Sequence, residues 1–515
     1  MLFLRPGLRC RFQPAKLSQT FGQTPARLFS TSTRRHGQLS IFVNNLHRPH
    51  HGLQQSALDE VELYAERFKH HRHIGSDHSY LSVLFDQMIP PEHSDGVLVV
   101  ASSELVSWID DAQFIPNLLR ALFHSSPSWG EPPPDKINVV AAVTAGISPK
   151  APGISILHGN TNTILPDFGR HSLPHSNDSD GKLASLSFSM PPLGDSAEQT
   201  SAAGGEIEVT QPLANTIFDN GMQSTLRAST WARDQAGTYG LIEEFPLSTQ
   251  RVVPDSTTKQ STTSGSVPLM AVCPPRKVTS GLGNIIRQIE IDGENVPASK
   301  ELEKNIDKLL TNSPDPGPVS IWACMIPEDK LSSGGCSFMD IFQKEKLDSF
   351  YEDIQGQQMA QVPVKMLVDG CQIFQVLSGG GGWGAKQGLL SLDSETSYSI
   401  GDTDEDLEMF VKSFTSFNIS GAATGMVTPG DYVQFFINFP STPAKPSPGT
   451  FLGVGGSSLD SPVSTEGEHA ISMLVGHFGT LSSKGMFLGG SKSQTGMEAK
   501  INTDGACLQG RWPKE

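Results

Sequence analysis

Two kinds of apolar pattern divide the chain into elements. Gly96–Ala101 (GVLVVA) and Ile137–Val143 (INVVAAV) are short apolar runs of strand type. Between them, residues 109–123 place apolar side chains at 114, 115, 118, 119, 122 and 123, which is the spacing of one helix face. Strand, helix, strand in that order predicts a βαβ unit, and 153–157 adds a third strand. Upstream, residues 56–89 predict one or two helices. A second half opens near Leu282 with a strand at 285–291, a helix at 299–310 and a buried strand at 319–325. Segments 362–368 and 372–377 read as two strands joined by a hairpin turn at Asp369-Gly370. A strand at 387–392, a helix at 404–417, a strand at 432–439 and late strands at 469–476 and 485–488 complete the pattern.

Residues 170–204 and 254–267 are dominated by Ser, Thr, Gly, Asp and Pro and predict exposed loops or linkers. The expected fold is therefore α/β to α+β, with two mixed-sheet domains and helices packed on them. The boundaries are a presequence over 1–36, a helical lead-in over 37–90, and domains over 91–280 and 281–515.

Charge changes the picture most at the N-terminus. The first 58 residues hold eight Lys or Arg and no acid, with Leu2, Phe3, Leu4, Leu8, Phe12 and Leu17 set among the cations. An Arg-rich, Ser-rich, acid-poor segment of this kind predicts a mitochondrial transit peptide, drawn inward by the membrane potential at about 2.3 kcal/mol per charge per 100 mV. Arg27-Leu28-Phe29-Ser30 resembles a matrix processing site cut before Ser30, and a second trim would start the chain at Gly37. The expected address is the matrix, and the import and processing machinery are the expected handlers of the segment.

Removing the first 29 residues takes out five cations and no anion, moving the formal charge from −16 to −21. So acidic a chain argues against general nucleic-acid binding. No apolar run reaches the ~18 residues of a transmembrane helix.

Candidate chemistry is sparse. Cys273, Cys324, Cys336, Cys371 and Cys507 match no zinc spacing and read as buried, reduced thiols. The histidines at 50, 51, 70, 71 and 73 share no carboxylate or cysteine in register and predict polar surface rather than a metal centre. Neighbouring acids such as Asp110-Asp111 and Asp404-Glu405-Asp406 suit helix starts. Gly379-Gly380-Gly381-Gly382-Trp383-Gly384 satisfies G-x-G-x-x-G, but Gln387–Leu392 just beyond it reads as a strand, where a dinucleotide loop opens a helix. No motif implies a cofactor.

The segment Ile285–Leu310 (IIRQIEIDGENVPASKELEKNIDKLL) ends a strand in Ile-Asp-Gly, continues through Pro-Ala and enters an amphipathic helix. It resembles the junction between the N- and C-terminal halves of FIST proteins, and the order of strand 95–100, helix 110–123 and segment Val139–Gly146 is similar to the upstream half. The resemblance implies a sensory or small-ligand-binding module and no catalytic residue. The inserts at 170–204 and 254–267 depart from the family.

A ligand in such an architecture is expected beyond strand ends, where the glycine loop meets Ala145-Gly146. The expected lining is Gly146, Gly379, Gly381, Trp383, Gly384 and Lys386. Two alternatives stand beside this reading: a non-catalytic mitochondrial assembly or interaction factor, and an enzyme that uses the Gly379–Gly384 loop with an acid such as Asp393.

Overall fold

Every residue of Gly96–Ser102 is buried, which is why the segment carries an unbroken apolar run instead of an alternating one. In the computed structural model it lies inside a seven-stranded sheet. The structure describes residues 37–43, 94–123, 133–148, 152–170, 183–192, 206–254, 262–312, 319–332, 356–379, 388–398, 426–438, 448–455, 471–490 and 498–511. The sheet runs Ile471–Val475, Gly37–Val43, Gly153–Gly159, Gly96–Ser102, Lys136–Thr144, Leu226–Arg233, Tyr239–Pro246. Gly96–Ser102 and Lys136–Thr144 pair in parallel, as the βαβ order requires, and the other neighbours are antiparallel.

The expected single helix at 109–123 is two, Val106–Asp110 and Phe114–Leu122. The break falls where the Asp111 carboxylate accepts the Gln113 amide at 2.8 Å, a local bond that competes with the helix. Asp110 accordingly ends a helix rather than starting one. Phe114, Ile115, Leu118, Leu119 and Leu122 then bury against Val97, Val99, Val139 and Val143 on one face of the sheet.

The opposite face carries Leu98, Val100, Val140 and Ala142 into a larger core shared with two further sheets. One has five strands: Glu498–Ile501, Met486–Gly490, Ile207–Pro212, Ser185–Met190 and Thr249–Val252. The other has four: Thr262–Ser266, Cys507–Arg511, Gly449–Val454 and His477–Ser482. Leu186, Phe188, Val209, Leu452, Phe478, Leu488 and Leu508 are their contributions to the core.

A six-stranded antiparallel barrel completes the described structure. Its ring is Arg276–Leu282, Ile285–Ile291, Leu390–Leu392, Gln372–Gly379, Ile321–Ile326 and Tyr432–Asn438, which pairs back with Arg276–Leu282. Ala323, Met325, Phe374, Leu392, Val433 and Phe435 gather in the barrel's own cluster. The alternate residues Trp322, Cys324, Ile326, Ile373 and Phe436 belong to the larger core. Side chains thus fill the barrel, as in other barrels with few strands.

The mixed sheets are as expected, but among the described residues the helices are few, and apart from those over one face of the seven-stranded sheet the fold is not clearly α/β with helices layered on its sheets. Strand takes 53% of the described residues and helix 16%. Part of the shortfall in expected strand comes from Ser- and Thr-rich segments; the rest includes Ile207–Pro212, Leu226–Arg233, Tyr239–Pro246 and Gly449–Val454, where no element is expected from the sequence. Ser185–Met190 (SLSFSM) and Thr262–Ser266 (TTSGS) both lie in stretches expected to be loops. The first is buried through alternating Leu186, Phe188 and Met190, and the second is held by Cys507–Arg511, with Val364 and Leu508 packed over Gly265.

In the other direction, 362–368 is not a strand but the end of a helix, Gly356–Val368, which tolerates Pro363. Asp369-Gly370 is its C-terminus, where Gly370 has φ +89° and the amides of Gly370 and Cys371 bond to the carbonyls of Leu367 and Met366. The turn at Asp292-Gly293, with φ of +53° and +82°, opens a short strand, Glu294–Pro297, before the helix Ser299–Asn312.

The lead-in over 37–90 opens with the strand Gly37–Val43; the presequence, the rest of the lead-in and the helix at 404–417 lie outside the described residues. All four sheets take strands from both sides of residue 280. The boundary expected there is a division of sequence and not of strand pairing.

Candidate functional site

The glycine run connects two neighbouring barrel strands. Gln372–Gly379 and Leu390–Leu392 pair antiparallel, with Gly379 opposite Leu390. A dinucleotide loop runs from a strand into a helix; here the described residues flanking the run, Gln372–Gly379 before it and Leu390–Leu392 after it, are both strands. Gly379 is the last residue of its strand, and a Cβ there would lie 2.3 Å from Leu390 Cδ2. At the far end of the hairpin Gly388 has φ +80° and sits against Pro297, where a Cβ would come within 2.4 Å. Close packing accounts for both glycines. Gly381, Trp383, Gly384 and Lys386 lie outside the described residues.

Gly146 lies just beyond the strand Lys136–Thr144, as expected, but it is buried in a β-bridge with Leu481. The Ala145 amide donates to the Leu481 carbonyl at 3.1 Å. The Gly146 carbonyl accepts from the Leu481 amide at 2.8 Å and from Thr144 Oγ1 at 2.9 Å. Gly146 is therefore engaged by the four-stranded sheet and Gly379 by the barrel.

Asp393 sits beside a shallow recess with essentially no internal volume, lined by Ile373, Phe374, Gln375, Asp393, Glu395 and Lys500. Ligand pockets usually span ~300–1,000 Å3. Lys500 Nζ lies 3.2 Å from Asp393 Oδ2, also bonds the Glu395 carboxylate, and stands 5.6 Å over the Phe487 ring. Burial opposes the charge on Lys500, yet Glu395 and Asp393 hold its pKa above the ordinary lysine value. A lysine held protonated between two carboxylates does not serve as a general base. Together with Asn502 Nδ2, which donates to Gln375 Oε1 at 2.8 Å, the cluster ties the barrel to the five-stranded sheet.

One constellation has no linear signal in the sequence. Ser40 Oγ lies 2.8 Å from Ser155 Oγ and 2.7 Å from His477 Nδ1, and Ser155 Oγ accepts the Gly479 amide at 3.1 Å. The three residues come from three strands and sit 0%, 0% and 1% exposed. A serine beside a histidine is the geometry of an activated nucleophile. Here the hydroxyl meets no solvent, and burial pushes the imidazole down to about 4. The arrangement is a buried polar tie.

The thiols are similarly withdrawn. Cys273, Cys324 and Cys371 are buried and unbridged, and Cys507 is partly exposed and unbridged. Burial, then the neighbouring Glu301 carboxylate, drives the Cys273 pKa strongly upward, and burial lifts Cys507 to about 11. These are packing residues in the sense expected. Cys336 and histidines 50, 51, 70, 71 and 73 lie outside the described residues. Among the described residues no three His, Cys, Asp or Glu are gathered for a metal, and no helix is long and apolar enough to cross a membrane.

Comparison with known proteins finds no family model, no curated protein and no solved structure that matches the chain.

Proposed function

We propose that the protein acts in the mitochondrial matrix by binding another protein, without catalysis. The acid-free, Arg-rich N-terminus supports the address, through the charge and composition that import requires. One observation carries the binding reading. Ordered elements turn large apolar side chains to water, with Phe218 100% exposed, Ile242 56%, Leu241 50% and Ile217 47%. Of the groups a catalytic reading would use, Asp393 is salt-bridged, Cys273, Cys324 and Cys371 are buried, and burial holds the partly exposed Cys507 as a thiol with its pKa raised to about 11.

A small-ligand-binding protein of FIST type is the second reading. It is favoured by the position of the glycine hairpin at the strand exits of the barrel, where the Ser299 amide donates to the Gly388 carbonyl at 3.2 Å. Native mass spectrometry of the full chain recovered from mitochondria separates the two. The first reading expects the mature mass plus one further polypeptide. A stoichiometric small molecule and no polypeptide would replace it with the second.

A further inference from the structure

The segment 215–225 is short, tightly bonded and crowned by an aromatic ring with no intramolecular role. Its helix, Ile217–Asn220, has a single turn and closes on Gly221 at φ +77°. Asn215 Oδ1 accepts the Ile217 amide at 3.0 Å, and Asn220 Oδ1 accepts the Met222 amide at 3.1 Å. Thr216 Oγ1 donates to the Met222 carbonyl at 2.9 Å and meets Thr225 Oγ1 at 2.9 Å, both threonines being 0% exposed. Asn220 Nδ2 reaches Thr225 Oγ1 at 2.9 Å and Asp110 Oδ2 at 3.0 Å, so the base of the loop is fixed to the helix Val106–Asp110. On this frame Phe218 is fully exposed and Ile217 about half exposed.

An exposed aromatic on a preordered frame gives up little conformational freedom when it inserts into a pocket. Such residues dominate binding energy where they are found in interfaces. The surroundings restrict what can receive it. Asp219 comes directly after Phe218 and is exposed. The Asp110 carboxylate pairs with Arg227, whose other nitrogen lies 3.8 Å from Glu244 Oε1. Two carboxylates thus face the Arg227 guanidinium, and exposed Asp219 adds a third acid on the loop itself, in a chain whose formal charge is −16. This field repels phosphate backbones and anionic lipid headgroups and complements a basic protein surface.

The neighbouring edge strand Tyr239–Pro246 is not the docking element. A register shift opposite Thr230-Trp231 bulges it at Ile242, and Glu243-Glu244 line its exposed side. Both features block strand addition.

We propose that Phe218 is the anchor of the interaction surface, inserting into an apolar pocket of a partner protein whose rim carries Lys or Arg. This rests on the protein-binding reading above. The test places the photo-crosslinker p-benzoylphenylalanine in the full chain at position 218 and, as a control, at exposed Glu243, followed by irradiation in intact mitochondria. The expected result is a cross-link from 218 to one other polypeptide, at least about tenfold above the control. The adduct should fall on an apolar segment flanked by Lys or Arg, and Asp219→Lys should diminish it.

Phe218→Ser should leave the melting curve unchanged while weakening the complex with that polypeptide by roughly 30-fold or more, the loss associated with hot-spot side chains. Adducts only to lipid or to a second copy of the chain, a yield equal to the control, or a lowered melting curve for Phe218→Ser would each overturn the anchor. A polypeptide in the native mass spectrum with no cross-link from 218 refutes the anchor alone. A native mass spectrum with no polypeptide refutes the reading beneath it.

Discussion

Ser40, Ser155 and His477 meet where water does not reach, and the imidazole bonds one hydroxyl, Ser40 Oγ, with no carboxylate among these partners to meet a charge on it. Burial holds the ring neutral, with its pKa lowered from 6.5 to about 4. The unfolded chain therefore takes up this proton first as pH falls. Stability contributed by the neutral ring is complete above about 6.5 and is lost progressively between about 6.5 and 4, by up to about 3 kcal/mol. Thermal unfolding monitored from pH 7 to pH 4 should show this slope. His477→Gln should be less stable at pH 7, yet lose less on acidification. Parallel pH profiles for the two proteins would show that the ring does not titrate as described. None of this is legible in the sequence, since the bond from Ser40 to His477 spans 437 positions. The glycines are legible as glycines, but the structure uses Gly379 and Gly388 for close packing and Gly146 for a β-bridge.

Elements with one strong period are legible in the sequence. Lys136–Thr144, Gly153–Gly159, Ile321–Ile326 and Tyr432–Asn438 are strands over nearly the predicted spans, and the amphipathic stretch after Pro297-Ala298 is a helix. The segment 362–368 misleads because Val362, Val364, Met366 and Leu367 satisfy a strand as well as a helix face over so few residues, and Pro363 argues against helix. Gly370 nevertheless needs the positive φ expected of it, as the residue that ends the helix. A Cβ there would meet nothing closer than Lys330 Cε at 3.6 Å, so the cost of a side chain is conformational and not steric. Gly370→Val should lower stability by roughly 1–3 kcal/mol, measured by chemical denaturation. An unchanged midpoint would mean that the helix end adapts without strain.

At the scale of the whole molecule, strands far apart in sequence share sheets. Gly37–Val43 lies between Gly153–Gly159 and Ile471–Val475, paired with both, and Ile207–Pro212 pairs with Met486–Gly490. Sequence periodicity reports which face of an element is buried, not which distant element buries it. The βαβ unit is therefore legible and the interleaving of the two halves is not. The interior position of Gly37–Val43 also bears on targeting, because any cut that releases the presequence has to leave this strand intact. The most direct test is mass spectrometry of the N-terminal peptide of the protein recovered from mitochondria. A new terminus at Ser30, at Gly37 or between them would satisfy both the import signal and the sheet. A chain that keeps Met1, or one that begins beyond Gly37 inside the strand, would contradict the account.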